Sequence, residues 1–313
     1  MLYTPRQRQI AQAPTGLDRR RAQIVIPMKP IGISMSTLAR TPIAASELPG
    51  AKLDASKMPG HWLLARLGKR VLRPGGLELT RKMLSALAIT NEDRVVELAP
   101  GLGTTMRLVL PQLPASYVAI ERDEAAVRAV RAVQKDLAAQ NAECRQGVAA
   151  DTGLPEASAS VLYGEAMLTM HTDAQKTAII REAHRVLREG GRYGIHELAL
   201  TPDDLPDTEK SHIHRDLSDS IHVGARPLTV KDWKSLLEAN GFAVQSVAVA
   251  PMHLLEPARL VADEGLGGAL RVVWNILKSP TSRRRVMQMR SVFRKHEARM
   301  CAVAFSAIKQ AAD

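Results

Sequence analysis

The spacing of apolar and polar residues predicts that short buried strands alternate with amphipathic helices from residue 94 onward. Short apolar runs predict strands of a parallel sheet covered on both faces, and apolar residues spaced three and four apart predict the helices. The predicted strands are 94–98, 117–121, 142–146, 161–165, 191–196, 242–250 and 299–307, and the predicted helices are 61–72, 76–89, 124–139, 174–187 and 229–240. This alternation predicts an α/β fold with a doubly wound, mostly parallel sheet of seven strands.

The chain divides into three predicted parts, the last of which contains an insertion. Residues 1–49 contain several prolines and no periodic apolar run, so we expect a flexible, basic N-terminal segment. Residues 50–90 contain two amphipathic helices, and residues 91–313 contain the sheet. Residues 251–298 separate the last two strands, where a hairpin would need only a few residues. Helical patterns there predict an insertion that acts as a cap or as a dimer surface.

The first strand leads into a glycine turn, which is the candidate binding site. The strand carries an acid, Glu97, near its end, and Gly101 and Gly103 follow in a turn-prone stretch. Glycine takes backbone angles closed to other residues and lets a ligand approach the main chain. The next strand ends in Glu121, roughly 20 residues after the turn, where a carboxylate can bind ribose hydroxyls. Strand, glycine turn and helix together indicate a nucleotide-binding site.

The chemistry of this turn argues against a phosphate binder. No Lys-Ser/Thr pair follows the glycines, and the charge of Glu97 would repel a pyrophosphate. An acid at this position instead suits a cationic ligand with an amino-acid tail.

Two blocks resemble known families. The stretch Glu97-Leu-Ala-Pro-Gly-Leu-Gly103, followed by Glu121, resembles the first two motifs of class I S-adenosylmethionine (SAM) dependent methyltransferases, with Ala99 in place of the first glycine of the motif. Residues 185–197 are similar to the R-V-L-x-x-G-G signature of ubiquinone/menaquinone-type small-molecule methyltransferases. The resemblance spans residues 94–250. It implies a Rossmann-like methyltransferase fold, SAM as cofactor, and contacts from Glu97, Ala99, Gly101, Gly103 and Glu121.

The resemblance also places candidate residues around the methyl donor. Ligands bind outside the carboxyl ends of the strands in such a sheet, which is where Glu165, His171 and His196 are expected. We assign Glu165 to cofactor binding and the two histidines to general-base catalysis, needed only if the acceptor must be deprotonated. Asp151 precedes a Leu-Pro pair, where the family places an acid that binds the adenine amine; a helix cap is the competing interpretation.

Composition narrows the setting and the ligands. Cys144 and Cys301 are the only cysteines, which favours unpaired thiols and a cytoplasmic protein. No run approaches the roughly 20 apolar residues that span a bilayer, so we expect no transmembrane segment. The polar stretch 201–226 contains His212, His214 and His222, which we interpret as loop histidines beside a pocket, and we expect no metal site.

Charge leaves the partner open. Of the net charge of +11, residues 1–73 supply an excess of +10 and residues 281–299 an excess of +6. Basic flanks could meet nucleic acid, an anionic membrane or an acidic partner, or could simply be solvated. A nucleic-acid partner is not expected, because stacking aromatics are scarce and no recognisable module is present.

Methyl transfer from SAM to a small-molecule nucleophile is the function predicted from these features, with the acceptor atom (O, S, N or C) open; a thiol or another readily ionised acceptor remains an option. An RNA methyltransferase that uses the basic flanks, and a non-catalytic SAM-binding or interaction protein, are the alternatives. A homo-oligomer could form through the helical insertion.

Overall fold

The computed structural model describes residues 47–311, and the architecture below refers to these residues. The predicted flexible segment 1–49 lies almost entirely outside them. The helices are α1 (Gly60–Arg66), α2 (Gly76–Leu87), α3 (Met106–Val109), α4 (Glu124–Asp136), α5 (Asp173–Val186), α6 (Asp207–Ile221), α7 (Val230–Glu238), α8 (Pro257–Lys278) and α9 (Pro280–Lys295). The strands are β1 (Arg94–Leu98), β2 (Ser116–Glu121), β3 (Ala142–Gln146), β4 (Ala159–Glu165), β5 (Leu187–Leu200), β6 (Leu228–Thr229), β7 (Phe242–Pro251) and β8 (Met300–Lys309).

One mostly parallel sheet organises this part of the chain. Its strand order is β3-β2-β1-β4-β5-β8-β7, and the two-residue strand β6 pairs with β5. Strands β1 to β5 pair in parallel, whereas β8 is antiparallel to both β5 and β7. The α/β fold and its mostly parallel sheet are therefore confirmed. The short strand β6 was not predicted, because two residues are too few to show a pattern.

The sheet is covered on both faces, as its apolar strands require. Side chains alternate between the faces of a strand, so Val95 and Val96 of β1 enter different cores. Val95 packs in the core that contains Leu84 of α2 and Val130 of α4. Val96 packs in the core that contains apolar residues of α5 and α7. This double cover leaves the carboxyl ends of the strands as the place for a ligand.

The polar stretch 201–226 was wrongly predicted to be a loop. Most of it forms helix α6, which carries His212 and His214. The negative charge of Asp207 in the first turn interacts favourably with the positive end of the helix dipole and stabilises the helix. Ile213 and Leu217, four residues apart, form a narrow buried stripe. That stripe was missed because polar side chains occupy most of the remaining positions.

The insertion consists of α8 and α9, as the helical patterns predicted. Helix α8 breaks at Gly265, whose φ of 71° and ψ of 169° are not helical. Helix α9 packs against the N-terminal helices and against α6. Its buried Met289 shares a core with Leu63 and Leu64 of α1, and its Phe293 packs on the core that contains the apolar residues of α6. The insertion is thus joined to the N-terminal helices as well as to the sheet.

Two further expectations concern membranes and thiols. None of the helices within residues 47–311 is both long enough and apolar enough to cross a membrane.

Cys144 and Cys301 are buried and free, as predicted. Burial raises the pKa of Cys144 to about 12 and that of Cys301 to about 11, so both stay protonated near neutral pH.

Candidate active site

A cavity of about 840 Å³ opens at the carboxyl ends of the central strands. One end is polar and is lined by Glu97, Glu121 and Glu165, the glycine turn and residues 147–150. The other end is lined mainly by apolar side chains from α1, α6 and the insertion. The volume lies within the usual range of about 300–1,000 Å³ for small-molecule sites.

The glycine turn presents its backbone to the cavity. Ala99, Gly101 and Gly103 all have positive φ, at 51°, 57° and 67°. A Cβ atom on Gly101 would meet no protein atom within 4 Å, whereas one on Gly103 would lie 3.3 Å from Val133 of α4. Gly101 therefore leaves space for a ligand, and Gly103 lets the turn pack on α4. Ala99 adopts the angle that glycine would take without strain, at a cost of about 1 kcal/mol.

Glu97 is a buried carboxyl group at the end of β1. It lines the cavity and is only 4% exposed. The Tyr117 hydroxyl donates a hydrogen bond to it and lies 2.9 Å from the Tyr163 hydroxyl. Burial raises the pKa of Glu97 to about 8, although the Tyr117 hydrogen bond acts in the opposite direction. A cationic group entering the cavity would therefore meet a carboxyl that is ready to ionise.

Glu121 is fixed by the backbone around it. Its two oxygens accept hydrogen bonds from the amides of Gly101 (3.1 Å), Arg122 (2.8 Å) and Asp123 (3.0 Å). Burial raises its pKa despite these three bonds. A carboxylate has about four acceptor positions, so about one position remains for a hydroxyl group in the cavity.

Arg73 is a cavity residue that the sequence did not reveal. One guanidinium nitrogen, Nη1, donates to the Thr105 hydroxyl at 2.6 Å and to Glu165 at 2.8 Å. Nε and Nη2 are buried and have no hydrogen-bond partner among residues 47–311. Unpaired buried N–H groups are costly, and a carboxylate satisfies a guanidinium well. Their presence in the cavity wall fits a ligand with a carboxylate.

Glu165 and His196 form a buried pair beneath Arg73. His196 is fully buried, and its Nδ1 lies 2.8 Å from Glu165. Its Nε2 accepts a hydrogen bond from the Gly75 amide at 3.1 Å, so the proton lies on Nδ1. Burial acts to raise the pKa of Glu165, but the Arg73 charge and the bonds from His196 and Thr105 lower it to about 2.

This geometry bears on the two roles predicted for the pair. Both ring nitrogens of His196 are engaged and the ring does not line the cavity. Because of burial, its pKa is lowered. Glu165 does line the cavity, yet its oxygens accept from protein donors. The structure therefore makes Glu165 the residue that positions Arg73.

The other two predicted positions differ in their exposure to the cavity. His171 lines it, and its Nδ1 donates to the Met167 carbonyl at 2.8 Å, which leaves Nε2 as an acceptor. Asp151 is exposed and does not line the cavity, although its backbone forms an isolated bridge with Val148, which does. Residues 147–150 reach the cavity in its place.

Glu197 is a structural support of the cavity wall. It is fully buried, and it accepts hydrogen bonds from the amides of Met167 (3.0 Å), Leu168 (2.8 Å) and Thr169 (3.0 Å). The Thr169 hydroxyl adds a fourth bond at 2.7 Å. The loop that carries His171 is thereby held against β5.

Residues 95–191 match a protein-family model described as a methyltransferase domain. The protein is a SAM-dependent methyltransferase. The matched residues include β1, β2, β4 and the glycine turn at the polar end of the cavity. SAM is the cofactor of the protein. The residues fit this ligand, because the wall offers open backbone at Gly101, an acid at Glu97 and two guanidinium nitrogens of Arg73 that have no partner among residues 47–311.

Three relatives show how far the similarity of the methyltransferase extends. An uncharacterized protein of Haemophilus influenzae is 29% identical over 221 residues, 70% of this chain and 86% of its own. The structure of a putative sarcosine dimethylglycine methyltransferase from Galdieria sulphuraria has a TM-score of 0.60 at 15% identity, covering 75% of this chain and 84% of its own. A third relative is phosphoethanolamine N-methyltransferase 2 of Haemonchus contortus, whose structure contains phosphomonomethylethanolamine and S-adenosylhomocysteine. Its TM-score is 0.62 at 12% identity, and the match covers 89% of this chain and 61% of the Haemonchus chain. At these identities the two structures show a shared fold.

Among residues 47–311 of the methyltransferase, side chains of the types that bind metals gather at one place, on α6 and just after α9. His212, Asp216 and His296 approach one another between α6 and the end of α9. The ammonium group of Lys295 lies 2.7 Å from Asp216 and 3.2 Å from His212. The cluster is thus an ion-pair network that joins α6 to the insertion.

Proposed function

We propose that the methyltransferase transfers the methyl group of SAM to an apolar small molecule. The observation that carries the proposal is a single cavity with a polar end at the glycine turn and an apolar end built by α6 and the insertion. The apolar lining includes Trp62, Leu64, Met170, Leu217, Ile221, Met252, Leu254, Met289 and Phe293. A lining of this kind favours an acceptor with an apolar body and one reactive group.

The polar end would hold SAM through four kinds of contact. Glu97 would bind the ammonium group of the amino-acid tail, and the free N–H groups of Arg73 would bind its carboxylate. Glu121 would accept a hydrogen bond from a ribose hydroxyl at its remaining acceptor position. The bare backbone at Gly101 would let the cofactor lie close to the turn.

Alignment and exclusion of water would supply most of the catalysis. Bound SAM brings a methyl group already activated by its sulfonium, so the protein need not generate an electrophile. Holding an acceptor against that methyl in the apolar end of the cavity supplies the orientation. The helical insertion contributes Met252, Leu254, Met289 and Phe293 to this end of the cavity, which supports its predicted role as a cap.

His171 is the better placed of the two proposed general bases. Its Nδ1 proton is fixed by the Met167 carbonyl, so Nε2 is available to accept a proton from a hydroxyl or an ammonium acceptor. His196 would need to lose its contacts with Gly75 and Glu165 before it could act. We therefore propose His171 as the base and His196 as a residue that positions Glu165.

The acceptor class is narrowed by two arguments. The apolar lining supports the small-molecule assignment, and the similarity of residues 185–197 to the ubiquinone/menaquinone-type group supports the same class. Neither the RNA-methylating alternative nor the non-catalytic alternative finds support in the comparisons. The acceptor atom stays open, and a cytoplasmic location remains our proposal from the two unpaired thiols.

Turnover with a graded set of acceptors tests the proposal. S-Adenosylhomocysteine release is measured with phenols that carry alkyl tails of increasing length, with polar amines and with total RNA. We expect kcat/KM to rise with the length of the apolar tail. Phe293→Ala should raise KM for the long-tailed acceptor and leave the Kd for SAM unchanged. A preference for polar amines or RNA would contradict the proposed acceptor class.

A further inference from the structure

The second half of α8 carries an exposed apolar face. After the break at Gly265, five large apolar side chains are between 44% and 68% exposed. We call them the α8 face: Leu266, Leu270, Val273, Trp274 and Leu277. With about 3.6 residues per turn they fall within an arc of roughly 100°. Ala269 and Val272, on another side of the helix, are buried. A contiguous apolar surface of this kind marks an interaction site.

Unpaired cations follow the residues of the α8 face closely along the chain. Residues 265–296 contain eight Lys/Arg and no Asp/Glu. Four of these cations have partners. Glu256 pairs with Arg290 and Arg294, and Asp216 pairs with Lys295. The buried Arg285 donates a hydrogen bond to the Ser220 carbonyl. The other four are exposed and have no ion-pair partner among residues 47–311; they are Arg271, Lys278, Arg283 and Arg284. Exposed apolar side chains with free positive charges on the same helix and at the start of the next complement an anionic, apolar surface.

We propose that the α8 face docks the methyltransferase on the surface of a membrane that contains anionic lipids. The helix would lie in the plane of the interface, with the α8 face among the acyl chains and the four cations at the headgroups. Trp274 suits this position, because its ring is amphipathic and already contacts the Lys278 ammonium, 4.8 Å from the ring centroid. The helix would rest on the membrane without crossing it.

A second copy of the chain is the main rival occupant. In a two-fold dimer built on the α8 face, the same four cations would approach their own copies, and like charges in an interface are unfavourable. An anionic membrane neutralises those charges. The docking proposal also stands apart from the proposed acceptor, because membrane binding can be measured without turnover.

Sedimentation with lipid vesicles tests the docking. The full-length protein is mixed with vesicles of phosphatidylcholine alone, or of phosphatidylcholine with phosphatidylglycerol. We expect binding to the anionic vesicles, weakened by added salt, with a blue shift of Trp274 fluorescence. The charge reversals Arg283→Glu and Arg284→Glu together should lower the partition coefficient about tenfold or more. Arg188→Glu and Lys231→Glu change the same net charge at exposed positions outside α8 and α9 and should have a much smaller effect.

Three results would overturn the proposal. The first is no binding to anionic vesicles, and the second is equal loss of binding in the two double variants. Sedimentation equilibrium gives the third: a dimer that Leu270→Glu dissociates, without vesicle binding, would assign the α8 face to a second copy. Leu270 is 62% exposed, so this variant is expected to fold, which its melting temperature checks.

Discussion

Binding of SAM should depend on pH through Glu97. The pKa of this buried carboxyl is raised to about 8, so near pH 6 it is almost fully protonated. The ammonium group of SAM needs the ionised form as its partner, so binding below pH 8 must release a proton. One pKa unit corresponds to about 1.36 kcal/mol, and the cost at pH 6 is therefore about 2.7 kcal/mol. At pH 8 about half of the carboxyl is ionised, so Glu97 alone predicts an affinity about 50-fold lower at pH 6 than at pH 8.

The ligand limits the affinity on the alkaline side. An α-amino group has a pKa of about 7.7–8.0, so above that range the amino group of SAM loses the positive charge that pairs with Glu97. We expect the affinity to be greatest near pH 8 and to fall on both sides. Isothermal titration calorimetry in two buffers with different ionisation enthalpies measures both the Kd and the number of protons released.

Glu97→Gln is the control, because its amide cannot titrate. The variant should bind SAM more weakly at pH 8 and should show little change in affinity between pH 6 and pH 7. The variant also separates the contribution of Glu97 to the pH dependence from that of Glu121, whose pKa is raised as well. An affinity of the native protein that is constant from pH 6 to pH 8, with no proton release, would refute this role of Glu97.

The remaining predictions concern stability, cofactor binding and catalysis. The pKa of Glu97 is higher in the folded state than its ordinary value of 4.5. The contribution of Glu97 to stability is therefore complete below about pH 4.5 and is lost as the pH rises to about 8. In thermal melts over that pH range, Glu97→Gln should gain stability relative to the native protein. Arg73→Lys should weaken SAM binding by about 1.5–3 kcal/mol in calorimetry, because the lysine cannot replace the N–H groups on the two free nitrogens, Nε and Nη2. An unchanged Kd would remove Arg73 from the site. Glu197→Gln should destabilise the fold by about 1–3 kcal/mol in urea unfolding, since three amides lose a charged acceptor, and a midpoint that does not move would contradict that role. His171→Gln should lower kcat about 10²–10⁴-fold for a hydroxyl acceptor and flatten its pH profile, whereas full activity from pH 6 to 9 would exclude a general base at this position.

The polar end of the cavity was predictable because it is encoded locally. The acids at the ends of β1 and β2 and the glycines after β1 lie within about 25 residues, and parallel strands bring their carboxyl ends together. Ala99 shows that the backbone path of the turn tolerates a non-glycine residue, since it takes the same positive φ as its neighbours.

Residues whose surroundings come from distant parts of the chain could not be predicted in this way. The loop that carries Arg73 is held by Glu264 of α8, which accepts hydrogen bonds from the Arg70 and Val71 amides at 2.8 and 2.9 Å. Nothing near Arg73 in the sequence indicates that contact. The same loop buries His196 through the Gly75 amide, so a strand-end histidine that looked accessible is enclosed.

The most direct test of the SAM site compares two matched glycine substitutions. Gly101 and Gly153 have positive φ angles of 57° and 66°, and a Cβ on either would meet no protein atom within 4 Å. Gly101 lines the cavity and Gly153 does not, so Gly101→Leu and Gly153→Leu should impose similar backbone strain at different places. Calorimetric titration with SAM should show native affinity for Gly153→Leu and a loss of at least about 100-fold for Gly101→Leu, since the new side chain would fill the space assigned to the cofactor. Equal SAM affinity in both folded variants would contradict the placement of the cofactor at the turn.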